Sequence, residues 1–370
     1  MDIRKNVLQK GGTALIALVM AVGCSTDQKQ DSYPFYLGTY TRGDSEGIYK
    51  LNLTGEGQFA DLKLQTEVFN PSFLAFSPDS TYLMAVEENS PPQSLLSSFA
   101  ISEAGLERLS SSATLGAHPC HIAVNRAGYV VSSNYSGGSI VLHQIIENGQ
   151  LTKPLDTLVF EGSGPTGRQE KAHAHSTHFW PDSKHLITLD LGSDRLWLTA
   201  ITPDNTLQLQ DSIVVAAGSG PRHAAFHPKK PYFYVLNELT SRITQYSIEE
   251  GQLNYVSSLP TLPADYDGSA NTTAEVKISP DGRFLYVSNR GHNSIAVFSL
   301  DEQGKTILVE WTPTRGDTPR NFSLTPDGKF LVVGNQDSGS LVCFKRDEET
   351  GLLEFTDQLE APTPTYILFE

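Results

Sequence analysis

The chain has 370 residues, of which 39% are hydrophobic and 19% charged, so the composition permits a packed core and argues against disorder. Its formal net charge of −15 argues against nucleic-acid binding, because phosphate contacts need a basic surface. The charge does allow a small anionic ligand, since a local arginine cluster can exist inside an acidic protein.

Residues 1–23 have the features of an export signal. A basic start precedes an apolar run of about ten residues, too short to cross a bilayer, which ends in Ala-Val-Gly-Cys24 and resembles a bacterial lipobox. We expect cleavage before Cys24, its lipidation, and a protein anchored to a membrane of the cell envelope, facing the periplasm or the cell surface. A plain signal peptide or an uncleaved anchor is the alternative. Residues 24–33 would be a linker, and 34–370 one folded domain.

A block of similar sequence recurs six times in this domain. Each copy has a short apolar stretch, a turn, an aromatic-aliphatic stretch and a polar pair, and then leads into a further apolar stretch. The interval of about 46–55 residues is typical of a four-stranded propeller blade. The copies begin at Pro71, Pro119, Ala174, Pro221, Thr273 and Pro319.

Alternation and β-branched or aromatic residues predict strands in every copy, for example Ser294–Leu300 and Ser340–Arg346. Residues 279–282 (SPDG) and 325–328 (TPDG) predict hairpin turns, because proline presets φ and glycine allows positive φ.

A seventh copy is divided between the ends of the chain. Pro364–Glu370 matches the first strand of the block, and Phe35–Leu53 matches its second and third strands. We therefore predict an all-β, seven-bladed β-propeller with one blade closed by the N- and C-terminal strands, which leaves no open sheet edge. An open solenoid or β-helix would not explain the complementary ends. Two longer loops, Glu161–Lys171 and Pro260–Thr272, are candidates for a functional role.

Polar residues recur where the first strand of each blade begins and the second ends, and these positions meet at one face of a propeller. The first set comprises Ser72, Cys120, His121, His175, Arg222, His223, Glu275, Arg320, Asn321 and Tyr366. The second comprises Thr39, Tyr40, Glu87, Glu88, Asn134, Tyr135, Asp190, Asn237, Glu238, Asn289, Arg290, Asn335 and Gln336. We expect a ligand cleft at this mouth of the central channel.

The members of these sets differ in their expected roles. Asparagine recurs in four blades, at 134, 237, 289 and 335, which favours a turn-stabilising role. The charged residues that break the repeat are candidates for ligand binding or catalysis: His175, Arg222, Glu238, Glu275, Arg290 and Arg320.

Cys120 and Cys343 are the cysteines of the mature domain, and we expect two small buried hydrophobes rather than a disulfide. His173 and His175, two apart on one strand, would face the same side and form a weak candidate metal site.

The chain resembles the lactonase family of seven-bladed propellers, which contains bacterial 6-phosphogluconolactonase and a carboxymuconate-lactonizing enzyme. The resemblance covers nearly the whole mature chain and includes residues 36–49 (YLGTYTRGDSEGIY), 162–176 (GSGPTGRQEKAHAHS), 218–228 (GSGPRHAAFHP) and 274–298 (AEVKISPDGRFLYVSNRGHNSIAVF). It implies a lactone-hydrolysing enzyme of carbohydrate metabolism, without a metal or other cofactor, that acts on a small lactone, most simply an anionic sugar derivative. Its catalytic residues would be His175, Arg222, Glu238 and Arg290.

Lactone opening needs an activated water, oxyanion stabilisation and a proton for the departing alkoxide. Glu238 or His175 would be the base, and Arg222 and Arg290 would hold the oxyanion or a substrate anion. Substrate-binding candidates are His121, Arg168, His173, His223, Glu275 and Arg320. A lactone-forming cyclase or isomerase and a non-enzymatic surface propeller that binds carbohydrate or protein are the alternatives.

Overall fold

The computed structural model describes residues 32–181, 184–267 and 270–370, which form seven four-stranded antiparallel sheets. We number these blades 1 to 7 in chain order. Within the same ranges, no helix is long and apolar enough to cross a bilayer. The export signal and Cys24 lie outside the described residues.

The strands follow one another blade by blade. Blade 1 contains β1 (Ser32–Thr39), β2 (Gly47–Thr54) and β3 (Phe59–Glu67). Blade 2 contains β4 (Leu74–Phe76), β5 (Tyr82–Glu87), β6 (Leu95–Ser102) and β7 (Gly105–Ala113). Blade 3 contains β8 (Pro119–Val124), β9 (Tyr129–Asn134), β10 (Ser139–Gln144) and β11 (Asp156–Val159), with a short 3-10 turn at Glu147–Gly149. Blade 4 contains β12 (Ala174–Phe179), β13 (His185–Asp190), β14 (Arg195–Ile201) and β15 (Leu207–Val214).

The remaining blades repeat this order. Blade 5 contains β16 (Pro221–Phe226), β17 (Tyr232–Asn237), β18 (Arg242–Glu249) and β19 (Gln252–Pro260). Blade 6 contains β20 (Thr272–Ile278), β21 (Phe284–Arg290), β22 (Ser294–Leu300) and β23 (Thr306–Pro313). Blade 7 contains β24 (Pro319–Leu324), β25 (Phe330–Asn335), β26 (Ser340–Arg346) and β27 (Leu353–Glu360), and β28 (Pro364–Phe369) returns to blade 1.

The predicted seven-bladed propeller is confirmed, including its closure. Strand β28 pairs with β1 in an antiparallel register that sets Leu37 opposite Ile367, so the two ends of the chain complete blade 1. Buried apolar side chains fill the space between neighbouring blades, as Tyr286 and Phe344 do between blades 6 and 7. This packing fixes the seven innermost strands around the channel.

The repeated asparagines have the architectural role that the sequence predicts. The side-chain amides of Asn134, Asn289 and Asn335 are buried and donate to the carbonyl oxygens of Thr114, Thr261 and Thr314, at 2.8, 3.0 and 3.0 Å. Each bond ties the end of a second strand to the connection that enters its blade. These three asparagines therefore support the backbone where each blade begins, while the Asn237 amide bonds within its own hairpin, to the Arg242 carbonyl oxygen and Thr244 Oγ1.

β-Bulges in the innermost strands decide which side chains enter the channel. In β8, β12, β16 and β24 the pairing register shifts by one residue near the start of the strand. The residues left without a partner on the neighbouring strand are Cys120, His175, Arg222 and Arg320. A bulge redirects the extra side chain, so each strand offers two successive residues to the channel at different depths.

Candidate active site

A cavity of about 220 Å³ opens at one end of the channel. It is lined by the four bulge residues and by residues that follow or end the second strands of their blades, together with one residue from a long loop and one from the start of β20. The lining residues are Tyr40, Glu88, Cys120, Tyr135, Arg168, His175, Arg222, Glu238, Thr272, Arg290 and Arg320.

Glu238 makes ionic contacts with three arginines of this cavity and is 1% exposed. Its Oε2 atom accepts a hydrogen bond from Arg222 Nη1 at 2.7 Å and lies 3.1 Å from Arg290 Nη2. Its Oε1 atom lies 3.2 Å from Arg168 Nη2. Three guanidinium groups from three segments of the chain therefore converge on one buried carboxylate.

This convergence controls the ionisation of Glu238 and Arg290. Burial by itself would raise the pKa of Glu238, but the attraction of the Arg290, Arg222 and Arg168 charges outweighs it and lowers the pKa to about 2. Burial lowers the pKa of Arg290 to about 9, against the opposing attraction of Glu238. Both groups are charged at neutral pH, and the carboxylate is a weak base while all three arginines hold it.

His175 is the second candidate base and is also buried. Its Nε2 atom lies 2.5 Å from Arg222 Nη1, a guanidinium that can only donate, so Nε2 is the acceptor. Burial and then the charge of Arg222 lower the pKa of His175 well below 6.5, so the ring is neutral at pH 7. Arg222 thus connects His175 to Glu238, and its Nε atom is fixed by a 2.8 Å bond to the carbonyl oxygen of Ala274.

Arg320, Tyr40 and Glu88 form the opposite wall. Arg320 Nη2 donates to the hydroxyl oxygen of Tyr40 at 2.7 Å, and its guanidinium stacks over the Tyr40 ring with 4.9 Å to the ring centre. The Tyr40 hydroxyl donates to Glu88 Oε1 at 2.8 Å. Burial raises the pKa of Tyr40, so this phenol keeps its proton.

The loop 161–171 completes the site by carrying Arg168 over the cavity. The buried side chain of Gln169 anchors the loop through a 2.9 Å bond from Nε2 to the carbonyl oxygen of Leu191. Arg168 Nη2 donates to the Tyr135 hydroxyl at 2.9 Å, and the Tyr135 ring stacks on His173 with 4.5 Å between ring centres. His173 therefore positions Tyr135 from behind, while Arg168 itself is half exposed.

Most of the predicted site residues come together in this cavity. His175, Arg222, Glu238, Arg290, Arg168 and Arg320 all line it. The prediction that all these residues meet at one mouth of the channel is wrong for His121, His223 and Glu275. These three residues line a different cavity at the other end of the channel. The bulge is the reason: it sends Arg222 toward one end and His223, the next residue, toward the other.

Five residues of the cavity are not among the predicted catalytic and substrate-binding residues, namely Tyr40, Glu88, Cys120, Tyr135 and Thr272. Tyr40, Glu88 and Tyr135 occupy the same repeat position as Glu238 and Arg290, directly after the second strand of a blade or at its end. The repeat alignment places them there, so the signal was present in the sequence.

The structure describes both cysteines of the mature domain and both histidines of the weak candidate metal site. Cys120 and Cys343 are both buried and free, as expected. The rings of His173 and His175 both pack against Tyr135, one stacked and one edge-on. Among residues 32–181, 184–267 and 270–370, no group of three or more His, Cys, Asp or Glu side chains has metal-binding geometry.

The family model of the lactonase 7-bladed β-propeller matches residues 34–369. The chain belongs to the lactonase family.

Two relatives named 6-phosphogluconolactonase share most of this domain. The chain is 35% identical over 297 residues to 6-phosphogluconolactonase of Bacillus subtilis strain 168, which covers 78% of this chain and 84% of the relative. It is also 35% identical over 302 residues to a 6-phosphogluconolactonase of Formosa agariphila, with 78% and 85% coverage. Among solved structures, the periplasmic gluconolactonase of Pseudomonas aeruginosa superimposes with a TM-score of 0.88, 30% identity, and 92% and 99% coverage. These relatives support a lactonase activity.

Proposed function

We propose that this protein hydrolyses a sugar lactone, most simply an anionic one of the 6-phosphogluconolactone type, in the arginine-rich cavity. The observation that carries the proposal is the convergence of Arg168, Arg222 and Arg290 on the buried carboxylate of Glu238. Such a cluster holds charge in fixed positions, which is what stabilising a developing oxyanion requires.

The charge balance of the cavity favours an anionic substrate. Four arginines and two glutamates line it, while His175 is neutral, so the cavity carries an excess of positive charge within a protein of net charge −15. Guanidinium groups bind phosphate and carboxylate in a bidentate manner.

Two buried atoms in the cavity lack a hydrogen-bond partner among the described residues. Arg290 Nε is a donor without an acceptor, and Glu88 Oε2 is an acceptor without a donor. Buried polar atoms are costly to leave unpaired, so both are sites for groups of a ligand. An anionic oxygen would suit Arg290 Nε, and a sugar hydroxyl would suit Glu88 Oε2.

The reaction would proceed by attack of a water oxygen on the lactone carbonyl carbon. The resulting oxyanion would be held by Arg222 and Arg290, and the proton of the attacking water would pass to Glu238 or His175. Collapse of the intermediate breaks the bond between the carbonyl carbon and the ring oxygen, and the departing alkoxide takes the proton back from Glu238 or His175, which regenerates the base.

Substrate binding would also prepare the base. A substrate anion that draws Arg290 or Arg168 away from Glu238 removes part of the attraction that keeps its pKa near 2. The carboxylate then becomes more basic at the moment when it must accept a proton.

The decisive experiment measures lactone opening by a soluble chain that begins at Ser25. The rates for 6-phosphogluconolactone and gluconolactone are compared with spontaneous hydrolysis, with Glu238→Gln as the site variant and the exposed Glu354→Gln as the matched control. We expect acceleration by wild type and by the control, and its loss in Glu238→Gln. Wild-type rates equal to the background on both lactones would contradict the proposal and favour a cyclase or a binding propeller.

We also propose that the protein is exported and anchored by a lipid on Cys24. The support is the apolar run and the small residues before this cysteine. Metabolic labelling with a radioactive fatty acid should mark the full chain and spare a Cys24→Ser variant. Equal labelling of both, or of neither, would contradict the anchor.

A further inference from the structure

A second and larger cavity, of about 580 Å³, opens at the other end of the channel. An aromatic layer separates it from the arginine-rich cavity. The Phe73 ring packs on Tyr366 and His121, with 3.8 and 4.4 Å between ring centres, and reaches across the channel to within 6.3 Å of His223. The second cavity therefore has a floor of apolar and aromatic surface.

Small side chains create the space above this floor. Three blades have alanine at the equivalent position two residues beyond the floor, namely Ala75, Ala123 and Ala225. The same position in blade 6 holds Lys277, whose side chain is one-third exposed. A volume of this size and these walls are typical of a site for a small organic molecule.

The ammonium group of Lys277 makes no hydrogen bond with the nearby carboxylate of Glu275. Its Nζ atom lies 3.8 Å from Glu275 Oε1, beyond hydrogen-bonding distance. Glu275 is already satisfied, because its oxygens meet His223 Nδ1 at 3.2 Å, the backbone nitrogen of Val276 at 3.0 Å and Asn321 Nδ2 at 2.6 Å. The ammonium group is therefore available to an anionic group of a ligand.

His223 provides a hydrogen-bond acceptor in the same cavity. It is 6% exposed, and its Nε2 atom has no hydrogen-bond partner among the described residues. Since Nδ1 faces the carboxylate of Glu275, the proton lies on Nδ1 and Nε2 presents a lone pair. Burial lowers the pKa of His223, so the ring stays neutral at pH 7 and Nε2 awaits a donor such as a hydroxyl group.

We propose that the second cavity binds a small hydroxylated aromatic carboxylic acid. The ring would stack on the Phe73 floor, the carboxylate would pair with Lys277, and the hydroxyl would donate to His223 Nε2. This site is distinct from the arginine-rich cavity, because the two cavities share no lining residue, although the His223 ring packs edge-on against His175 with 5.2 Å between ring centres.

Calorimetric titration of the soluble chain with three probes tests each contact. 4-Hydroxybenzoate carries both polar groups, benzoate lacks the hydroxyl, and phenol lacks the carboxylate. We expect 4-hydroxybenzoate to bind most tightly and without competing with the lactone. Lys277→Met should weaken the binding of both acids by about tenfold or more and leave phenol unchanged, since a charged hydrogen bond is removed. The exposed Lys345→Met is the matched control and should match wild type.

Ala225→Phe, which fills the cavity, should abolish binding of all three probes while lactone hydrolysis continues in this variant and in Lys277→Met. Three results would overturn the proposal: no binding of any probe to wild type, equal affinity in Lys277→Met, or competition between 4-hydroxybenzoate and the lactone. Because hydrolysis is measured in the same samples, failure of the second site is distinguishable from failure of the lactonase proposal.

Discussion

The two ends of the channel are built by the same innermost strands and yet differ in chemistry. At one end, four arginines line a small, positively charged cavity, and three of them contact Glu238. At the other, alanines, neutral histidines and aromatic rings surround a larger cavity in which Glu275 and Lys277 balance each other. Arg222 and His223 are consecutive residues, and one points to each end.

The comparison shows how a repeated strand can separate two functions. A β-bulge adds one side chain to the channel per strand, so the chain can vary the charged layer without altering the aromatic layer below it. The two glutamates illustrate the result. Both have a pKa lowered to about 2 against the effect of burial, Glu238 by arginines and Glu275 by Lys277, His223 and hydrogen bonds.

Among the variants that test this contrast, we expect Arg222→Met to cause the largest loss of activity. Arg222 links His175 to Glu238 and would hold the oxyanion, so kcat/KM should fall by about 10²-fold or more. The exposed Arg126→Met serves as the matched control, with circular dichroism to confirm that both variants fold. Activity within a few-fold of wild type would remove Arg222 from the mechanism.

The paired glutamates provide the most direct test of the division between the two ends. Glu238→Gln should lower kcat/KM by about 10²-fold, because an ionised carboxylate is lost from the reacting end. Glu275→Gln should stay within about threefold of wild type, because its side chain lies below the aromatic layer. Equal losses in the two variants, measured on the same lactone, would mean that the ends act as one site.

The aromatic layer should make the protein sensitive to acid. Burial lowers the pKa of His121 well below 6.5, so the unfolded chain binds this proton more readily than the folded protein. The stabilisation is present above pH 6.5 and is lost as the pH falls below it. Between pH 7 and pH 5, the free energy of unfolding should fall less in His121→Phe than in wild type, by up to about 2 kcal/mol. Urea titrations at both pH values measure it, and an equal pH dependence in wild type and His121→Phe would contradict the prediction.

Arg168→Met should give the smallest effect. Arg168 is 53% exposed, so its ion pair with Glu238 is screened by solvent, but its bond to Tyr135 helps to close the cavity. We expect kcat/KM to fall by about tenfold, mainly through KM. A loss as large as that of Arg222→Met would show that the loop 161–171 takes part in the chemical step.

Much of the fold could be predicted from the chain itself because a propeller is a local repeat. The interval between copies, the turn sequences at 279–282 and 325–328 and the divided seventh copy each report on contacts within one blade or between its halves. The strands Ser294–Leu300 and Ser340–Arg346 begin and end where the pattern of residues predicts. The repeated asparagines can be predicted for the same reason, since Asn134, Asn289 and Asn335 make the same bond in their blades.

The sequence by itself determined the seven blades, their closure and the six cavity residues that break the repeat or lie in the long loop. Only the tertiary structure decided which of the polar residues share a cavity. His121, His223 and Glu275 line the second cavity because the pairing of their strands shifts by one residue near the strand start. Such a shift depends on backbone geometry that the alternation of residue types does not encode. The meeting of Arg168, Arg222 and Arg290 at Glu238 likewise depends on tertiary packing, because it joins blade 5 to blade 6 and to the loop 161–171.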